Sequence, residues 1–499
     1  MHFLSPWKSS IISGVIIGLT YHPHLHLGIL AYIGFIPLFH SWFCNESKIN
    51  FKSGYLFGII YNITSNYWIA TNSGAPFIVV LISLLFAALY LSIFWGIAGA
   101  MIGLINGGKY RLIILPFMIV SLEWVRSFGP LGFPWGNLAL TQMDMLVLLQ
   151  IIEVTGTYGI TFIIIFTNAL IYYHFYVQKI QKSNIFYFIS FSILLILFGL
   201  WKIKLHQNPK DYHHLNVSVI QPNIDPNQKW DISTRHMKFK LMDSLHTEAI
   251  KLNPELILFP ETALPTYLRI NNQIRNKLQS VVNNSKIPIL IGTVDREIDS
   301  SGVKSYYNSA MYMQPGKNFE MYNKIHLVPF AEYDLVPSLF HPLVNLNLNL
   351  ERGVFKGGND YKIFHRNKTK FSNLICYESS LPRYARNFVK NGAQLLMLQA
   401  NDGWLGKSSG PLQHFEHARL RAIENRVPIV RCGNTGISGI ILPTGNVEKK
   451  ISLGKKAVFN HNLIIRDTGT FYTKYGDVFA VICFILTVYI GPLLSCRKD

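Results

Sequence analysis

Charge is scarce in this chain. Of its 499 residues, 15% are Asp, Glu, Lys or Arg, against about 25% in soluble proteins. The acidic sign is the scarcer, 27 residues against 46 basic ones, which leaves a net charge of +19. Together with 49% hydrophobic and 13% aromatic residues, this excludes a wholly soluble, a disordered, a collagen-like or a coiled-coil protein. Cysteine is sparse as well. Cys44, Cys376, Cys432, Cys483 and Cys496 are odd in number and show no CxxC spacing, so neither a disulfide framework nor a zinc site is indicated. No nucleic-acid motif, internal repeat or low-complexity linker occurs.

What the chain does have is long apolar runs, and about 20 such residues cross a bilayer. Spans are expected near 9–24, 27–44, 54–72, 77–105, 111–126, 158–177, 184–201 and 476–496. The first run follows a single lysine and continues without a small-residue cleavage site into the next, the mark of an uncleaved anchor. Basic residues near span ends stay on the cytoplasmic side. Lys8, Lys48, Lys52, Lys109, Arg111, Lys179, Lys182, Arg497 and Lys498 fall in one set of breaks, whereas the breaks around 25 and 72–76 carry no Lys or Arg. Eight spans with both termini inside satisfy this pattern. They give a membrane part at 1–202, an outer-face domain at 203–475, and a last span with a short tail at 476–499. The outer block holds 35 of the 46 basic and 21 of the 27 acidic residues, a balance that suits an anionic membrane surface.

Within the membrane part, GPLGFPWGNLAL (129–140) is rich in Gly, Pro and aromatics, as expected of a re-entrant or interfacial segment, with an ordinary turn-rich loop as the alternative. Glu123 and Arg126, one turn apart, can pair locally. The outer block alternates apolar runs with amphipathic stretches, the pattern of a layered α/β domain. Strands are expected at 215–220, 255–259, 287–293, 307–313, 371–376, 394–399, 428–432 and 438–443, and helices near 234–251, 270–284 and 411–426.

Three residues at strand or turn ends could carry chemistry. Glu261 in LFPETALP follows an apolar strand, and Pro260 and Pro265 stiffen its turn, a setting in which partial desolvation makes a carboxylate a useful base. Lys324 in YNKIHLVPFAEYD lies among apolar residues eight positions before Glu332, which would keep it charged for oxyanion stabilisation. Cys376 in FSNLICYESS ends an apolar strand and enters a polar turn, the layout of a projected nucleophile. Alone, each also reads as a structural residue: a capping Glu, a solvated Lys, an inert core Cys. Cys432, Cys44, Cys483 and Cys496 fit the inert role.

The three together, in the order Glu, Lys, Cys, resemble the carbon–nitrogen hydrolase (nitrilase) superfamily. With PETALP, YNK-HLVPF-EY, CYES, NDGW, GNTGISG (433–439) and the membrane stretch EWVRSFGPLGFPW (123–135), the whole chain resembles the apolipoprotein N-acyltransferase family. The resemblance implies a polytopic α-helical membrane protein of about eight spans with an inserted α/β nitrilase-like αββα sandwich. It implies Glu261 as general base, Lys324 as oxyanion-stabilising cation and Cys376 as nucleophile. Glu332 would position the lysine, Tyr377 and Glu378 would support the nucleophile, and Trp230 would lie near the acyl-handling cleft. Ala331, Gly403 and Leu405 depart from the family's common Gly, Ala and Phe, which bears on loop flexibility and acyl-chain fit.

The implied reaction is ping-pong. A membrane phospholipid acylates Cys376, and the α-amine of a diacylglyceryl-cysteine lipoprotein takes the acyl group from the thioester. No metal, nucleotide or redox cofactor is implied, nor any nucleic acid. The expected setting is a monomer in the bacterial inner membrane, its catalytic domain periplasmic. Two other readings stand beside it: a membrane-tethered nitrilase or amidase acting on a small C–N substrate, which would use the same three residues, and a non-enzymatic transporter or sensor, which would explain the spans but leave Glu261, Lys324 and Cys376 unexplained. Finally, VPSLFHPLVNLNLNL (336–350) contains no charge, which suggests either core or a lid dipping into the bilayer through Leu339, Phe340, Leu343 and Val344.

Overall fold

Prolines stand at breaks in the first two apolar runs, where the missing N–H cannot continue a helix, whereas Pro116 and Pro492 lie inside later helices. In the computed structural model, which describes residues 5–105, 108–179, 181–207, 212–329, 331–333, 355–467 and 469–496, the first apolar run is a helix from Pro6 to Leu19, and Pro23 opens a separate tight turn. The second run is cut into a 3-10 turn, Gly28–Tyr32, and a helix Ile36–Cys44 that carries Pro37 in its first turn. The third helix runs from Ser47 to Asn66, seven residues earlier than expected. Helices Phe77–Leu104, Gly108–Val125, Tyr158–Tyr172, Lys182–Gln207 and Val478–Cys496 match the remaining runs. Among the described residues, three helices are long and apolar enough to cross a membrane: Phe77–Leu104, Tyr158–Val177 and Ile185–Gln207. The expected lid, with Leu339, Phe340, Leu343 and Val344, lies outside the described residues.

The described residues divide into two compact units, one from the ranges 1–71, 77–208 and 470–499, the other from 72–76 and 209–469. In the first, small residues let helices approach closely. A Cβ on Gly54 would lie 2.3 Å from the Trp95 carbonyl oxygen, and one on Gly99 would lie 2.2 Å from that of Asn50. The segment 129–140 is held inside this unit by polar groups. Glu123 accepts from the Leu138 N–H at 3.0 Å, Asn137 Nδ2 at 3.1 Å and Thr161 Oγ1 at 2.5 Å, and lies 3.7 Å from Arg126. Arg126 Nη2 donates to the Gly136 carbonyl at 2.9 Å, which also accepts from Tyr21 and Tyr61. Trp135 is buried and packs on Trp68 with ring centroids 4.8 Å apart. The local pair expected between Glu123 and Arg126 is therefore present, and its larger task is to fix the loop. Of the cysteines expected to be inert core, Cys483 is buried but Cys44 is exposed, because its short helix ends there.

The second unit contains two six-stranded sheets. The first takes β1 (Tyr212–Gln221), β2 (Leu256–Leu258), β3 (Ile289–Ile298), β4 (Lys304–Met313), β5 (Glu320–Asn323) and the late β12 (Ala457–Arg466), in the order β12-β1-β2-β3-β4-β5. The second takes β6 (Phe364–Arg366), β7 (Thr369–Ile375), β8 (Leu395–Ala400), β9 (Ile429–Gly433), β10 (Ser438–Ile441) and β11 (Val447–Ile451), ordered β11-β10-β9-β8-β7-β6. The central strands β1, β2 and β3 are parallel, as are β7, β8 and β9. Parallel strands covered on both faces read as unbroken apolar runs, as β8 (LLMLQA, wholly buried) does. The sheets face each other: Tyr312 of β4 packs edge-on against Phe371 of β7, and Gln399 of β8 donates to the Phe259 carbonyl at 2.7 Å. Helices Arg235–Lys251 and Asn272–Ser285 cover the first sheet, and Pro382–Lys390 and Gly410–Asn425 the second. The layering is helix, sheet, sheet, helix. All eight expected strands are present. The four unexpected ones, β5, β6, β11 and β12, are edge strands or short, polar ones, in which no apolar run stands out.

Replacing Glu123 by Leu would leave Arg126 buried beside an apolar group and the Leu138 N–H without its acceptor. Removing one partner of a buried pair costs about 3–5 kcal/mol. The Glu123→Leu protein should melt well below the parent in detergent, and Glu123→Gln, which keeps an acceptor, should fall between them.

Candidate active site

Each of the three candidate residues lies just past the end of a strand. Glu261 follows β2 in a turn where Thr262 has φ +44°. That turn lies so close to β3 that a Cβ on Gly292 would be 2.4 Å from the Pro260 carbonyl oxygen and 2.7 Å from Glu261 Cα, so only glycine leaves room. Lys324 follows β5, with its N–H donating to the Asn308 carbonyl of β4 at 2.8 Å. Cys376 follows β7 with φ +51°, a left-handed conformation that costs a non-glycine residue roughly 1–3 kcal/mol and persists only where its surroundings impose it.

All three are withdrawn from solvent: Glu261 is 7% exposed, Lys324 1%, and Cys376 is partly buried. Glu261 is thus no surface cap and Lys324 no solvated loop residue. Lys324 Nζ donates to both oxygens of Glu332, at 2.9 and 2.7 Å. Glu332 also accepts from the Val328 N–H at 2.8 Å. Asn308 Nδ2 donates to Glu332 Oε1 at 2.9 Å and to Glu261 Oε1 at 2.7 Å, one carboxamide joining the two carboxylates. Glu378 accepts from Tyr322 OH, from the N–H groups of Ile325 and His326, and from that of Ile375, at 2.7–3.1 Å. It ties the Cys376 turn to the Lys324 turn.

Electrostatics follow from this burial. Burial raises the pKa of Glu261, with Lys324 opposing and Glu332 reinforcing the shift. Burial alone would discharge Lys324, but Glu332, Cys376 and Glu261 outweigh it and its pKa is raised, so it stays a cation. The Cys376 thiol is pushed well up, first by burial and then by the Glu261 carboxylate, against the pull of Lys324. The resting arrangement is a thiol beside a carboxylate and an ammonium. Removing the thiol proton to Glu261 cancels that repulsion and leaves a thiolate facing Lys324.

Of the expected supports, Glu332 pairs with Lys324, and Glu378 joins the turns at 325–326 and 375. Tyr377 is buried and stacks on His326 with centroids 5.8 Å apart. Trp230 is 49% exposed, while its neighbour Lys229 is buried, donating to the Glu261 carbonyl at 3.1 Å and to Thr262 Oγ1 at 2.7 Å. Burial and Lys238, opposed by Glu261, lower the Lys229 pKa to about 7. The Gly403 departure has a steric reason: a Cβ there would meet Thr435 Oγ1 at 2.6 Å. Cys432 is core, its thiol 3.1 Å from the Ile220 carbonyl oxygen. Asn308, Lys229, Asp402 and His414 escaped the sequence reading. An Asn inside an apolar strand, where Asn is disfavoured, is the one signal that marks any of them. Asp402, His414 and Cys376 present potential ligand atoms within 4.8 Å of one another. Arg431 Nη2 lies 3.1 Å from His414 Nδ1 and bonds Asp402, so this cluster is a hydrogen-bond network with a resident cation of its own.

The family model described as apolipoprotein N-acyltransferase N-terminal domain matches residues 13–170, and that described as carbon-nitrogen hydrolase matches residues 216–465. A curated apolipoprotein N-acyltransferase from Geobacter metallireducens is 31% identical over 98% of this chain and 95% of its own length. One from Rickettsia prowazekii is 29% identical over 95% of this chain and 98% of its own. Among solved structures, a nitrilase-superfamily amidase from Nesterenkonia AN1 matches 51% of this chain and 92% of its own at 15% identity, with a TM-score of 0.39.

The raised pKa of Glu261 has a consequence for stability. A carboxyl raised in the fold adds stability below its unfolded value of about 4.3, and that stability is lost as pH rises through the folded value. Above it, the buried carboxylate weakens the fold. Glu261→Gln should therefore melt higher than the parent at about pH 7.5, with the difference shrinking toward about pH 4.5. Melting below the parent at both values would show that the carboxylate's partners outweigh its desolvation.

Proposed function

The chain belongs to the apolipoprotein N-acyltransferase family, and we propose that its reaction runs through Cys376 as nucleophile, Glu261 as base and Lys324 as the cation at the oxyanion. It is an acyltransferase of lipoprotein maturation, acting on a phospholipid donor and a lipoprotein acceptor. In the first half-reaction Cys376 Sγ gives its proton to Glu261 and attacks the carbonyl carbon of a phospholipid acyl ester. Lys324 stabilises the tetrahedral oxyanion. The intermediate collapses, the C–O bond breaks, Glu261 returns the proton to the leaving alkoxide, and a lysophospholipid departs from a Cys376 thioester. In the second half, the α-amine of a diacylglyceryl-cysteine attacks the thioester carbonyl. Glu261 takes the amine proton, the C–S bond breaks, and the proton returns to the thiolate.

The observation that carries this reading is the single carboxamide of Asn308 bridging Glu261 to the Lys324–Glu332 pair, with all of these charges acting on Cys376. A base and a cation so joined keep one separation while the thiol is ionised and acylated. Tyr377, stacked on His326, and Glu378 would hold the nucleophile's turn, and Trp230, exposed and next in the chain to the Lys229 that holds the Glu261 turn, would meet acyl chains. The basic breaks between apolar runs support a topology of eight spans with both termini cytoplasmic, membrane parts at 1–202 and 476–499, and residues 203–475 on the periplasmic side.

Incubation of the purified protein with a tagged phospholipid should place a thioester on Cys376 by mass spectrometry. Cys376→Ser should form no acyl-enzyme, because a carboxylate base does not ionise a serine hydroxyl. Lys324→Ala should slow acylation by about 2.7–4 kcal/mol, a factor of about 10²–10³. A thioester on Cys432, or full transfer activity in Cys376→Ser, would overturn the assignment. Turnover of water-soluble amides alone would instead favour a small-substrate amidase.

A further inference from the structure

The helix Gly410–Asn425 packs beneath the nucleophile's turn and is buried along nearly its whole length. His414, His417, Arg421 and Glu424 recur at spacings of three, four and three, so they share one face. That face meets the turn Cys376–Ser380. His414 Nε2 lies 2.9 Å from the Cys376 carbonyl oxygen and 2.9 Å from Ser379 Oγ. The Ser379 hydroxyl donates to the same carbonyl at 2.9 Å. Two turns further along, Arg421 donates to the carbonyls of Ser379 and Ser380 at 3.5 and 3.3 Å and pairs with Glu424 at 2.7 Å.

The histidine is itself fixed. Its Nδ1 lies 2.6 Å from Asp402 Oδ1. The other Asp402 oxygen bonds Arg431, whose Nε donates to the Ile437 carbonyl at 3.0 Å. His414, Asp402 and Arg431 are all at most 2% exposed. A buried chain of bonds therefore runs from β9 through Asp402 and the imidazole to the carbonyl of Cys376, the residue that must deliver its thiol from a left-handed backbone. No step of the proposed reaction uses this chain of bonds. A side chain that only filled space here would have no reason to be an imidazole with an oxygen facing each ring nitrogen.

We infer that His414, oriented by Asp402 and Arg431, is a positioning residue that pins the Cys376 carbonyl and so sets the direction in which Sγ leaves the sheet. The inference rests on Cys376 being the nucleophile. Without the pin the peptide after Cys376 can rotate and Sγ moves relative to Lys324. A misplacement of about 1 Å in a reacting group slows a reaction by about 10²-fold.

The experiment uses the full chain in detergent–phospholipid micelles and follows single-turnover thioester formation on Cys376 from a tagged phospholipid. His414→Ala should slow acylation by about 10²-fold while the phospholipid KM stays within about threefold. His414→Gln, whose amide nitrogen can reach the Cys376 carbonyl, should recover much of the rate. A role in folding alone would lower the folded fraction and leave the rate per folded molecule unchanged, and that result overturns the inference. Should His414→Ala fail to fold, Asp402→Asn, which keeps shape but weakens the hold on the ring, takes its place, and a parental acylation rate in it is equally fatal. A parent that forms no thioester on Cys376 overturns the nucleophile assignment and this inference together. A parent that forms one, alongside variants as fast as it, removes only the role of His414.

Discussion

A lysine ammonium with 1% of its surface exposed can stay charged only if a carboxylate is buried with it, and much of the candidate site is arranged around that requirement. Glu332 meets Lys324 with both oxygens, and then needs donors of its own, which Val328 and Asn308 supply. The Asn308 amide also donates to Glu261. One ion pair thus accounts for the Asn on β4, for the Val328 N–H that turns to Glu332, and for the place of Glu261. Glu378 repeats the device on the other side, its oxygens collecting N–H groups from the turns at 325–326 and 375. The three loops that carry Glu261, Lys324 and Cys376 are laced together by carboxylates before any substrate arrives.

This arrangement also sets the behaviour of the thiol at rest. Burial and the neighbouring carboxylate hold Cys376 protonated, although a cation stands beside it. A thiol kept in this form reacts slowly with oxidants and stray electrophiles, since the thiolate is the reactive species. In the proposed reaction, attack becomes favourable when proton transfer to Glu261 and bonding to a carbonyl carbon proceed together. The strained backbone at Cys376 and the discordant carboxyl at Glu261 both lower stability, as is common where function requires groups that the fold alone would not favour.

The parts of this architecture that sequence discloses are those where one physical property dominates. Apolar runs closed by a turn mark β2 and β7 and make Glu261 and Cys376 candidates, yet these two and Lys324 each fit a structural role when taken singly, and only their order in one chain, through the family resemblance, singles them out. The helix Gly410–Asn425 shows why the rest was hidden. Amphipathic reading assigns its His, Arg and Glu residues to solvent, yet the helix is covered on its polar side by the turn Cys376–Ser380. Asn308 and Lys229 find their Glu261 partner more than thirty residues away, and Asp402 meets Arg431 across 29, distances that no window of sequence contains. In the helical unit, hydropathy located the apolar runs, but Pro23 and Pro37 broke two of them in ways that average hydropathy does not register.

β1 and β12, the first and last strands of the second unit, are antiparallel neighbours paired from Tyr212 with Arg466 to Gln221 with Ala457. The long stretch 209–469 of this unit therefore begins and ends on neighbouring strands. Beyond β12 the chain reaches the helix Val478–Cys496, whose Ala480 and Cys483 pack on Val120 and whose Thr487 lies 3.0 Å from Ser121 through their hydroxyls, a separation of 366 residues along the chain. Such a contact cannot form until everything between has been synthesised. During translation, the flank at Val120 and Ser121 stays uncovered while the residues of the α/β unit up to β12 are synthesised, and the last helix acts as the closing stave.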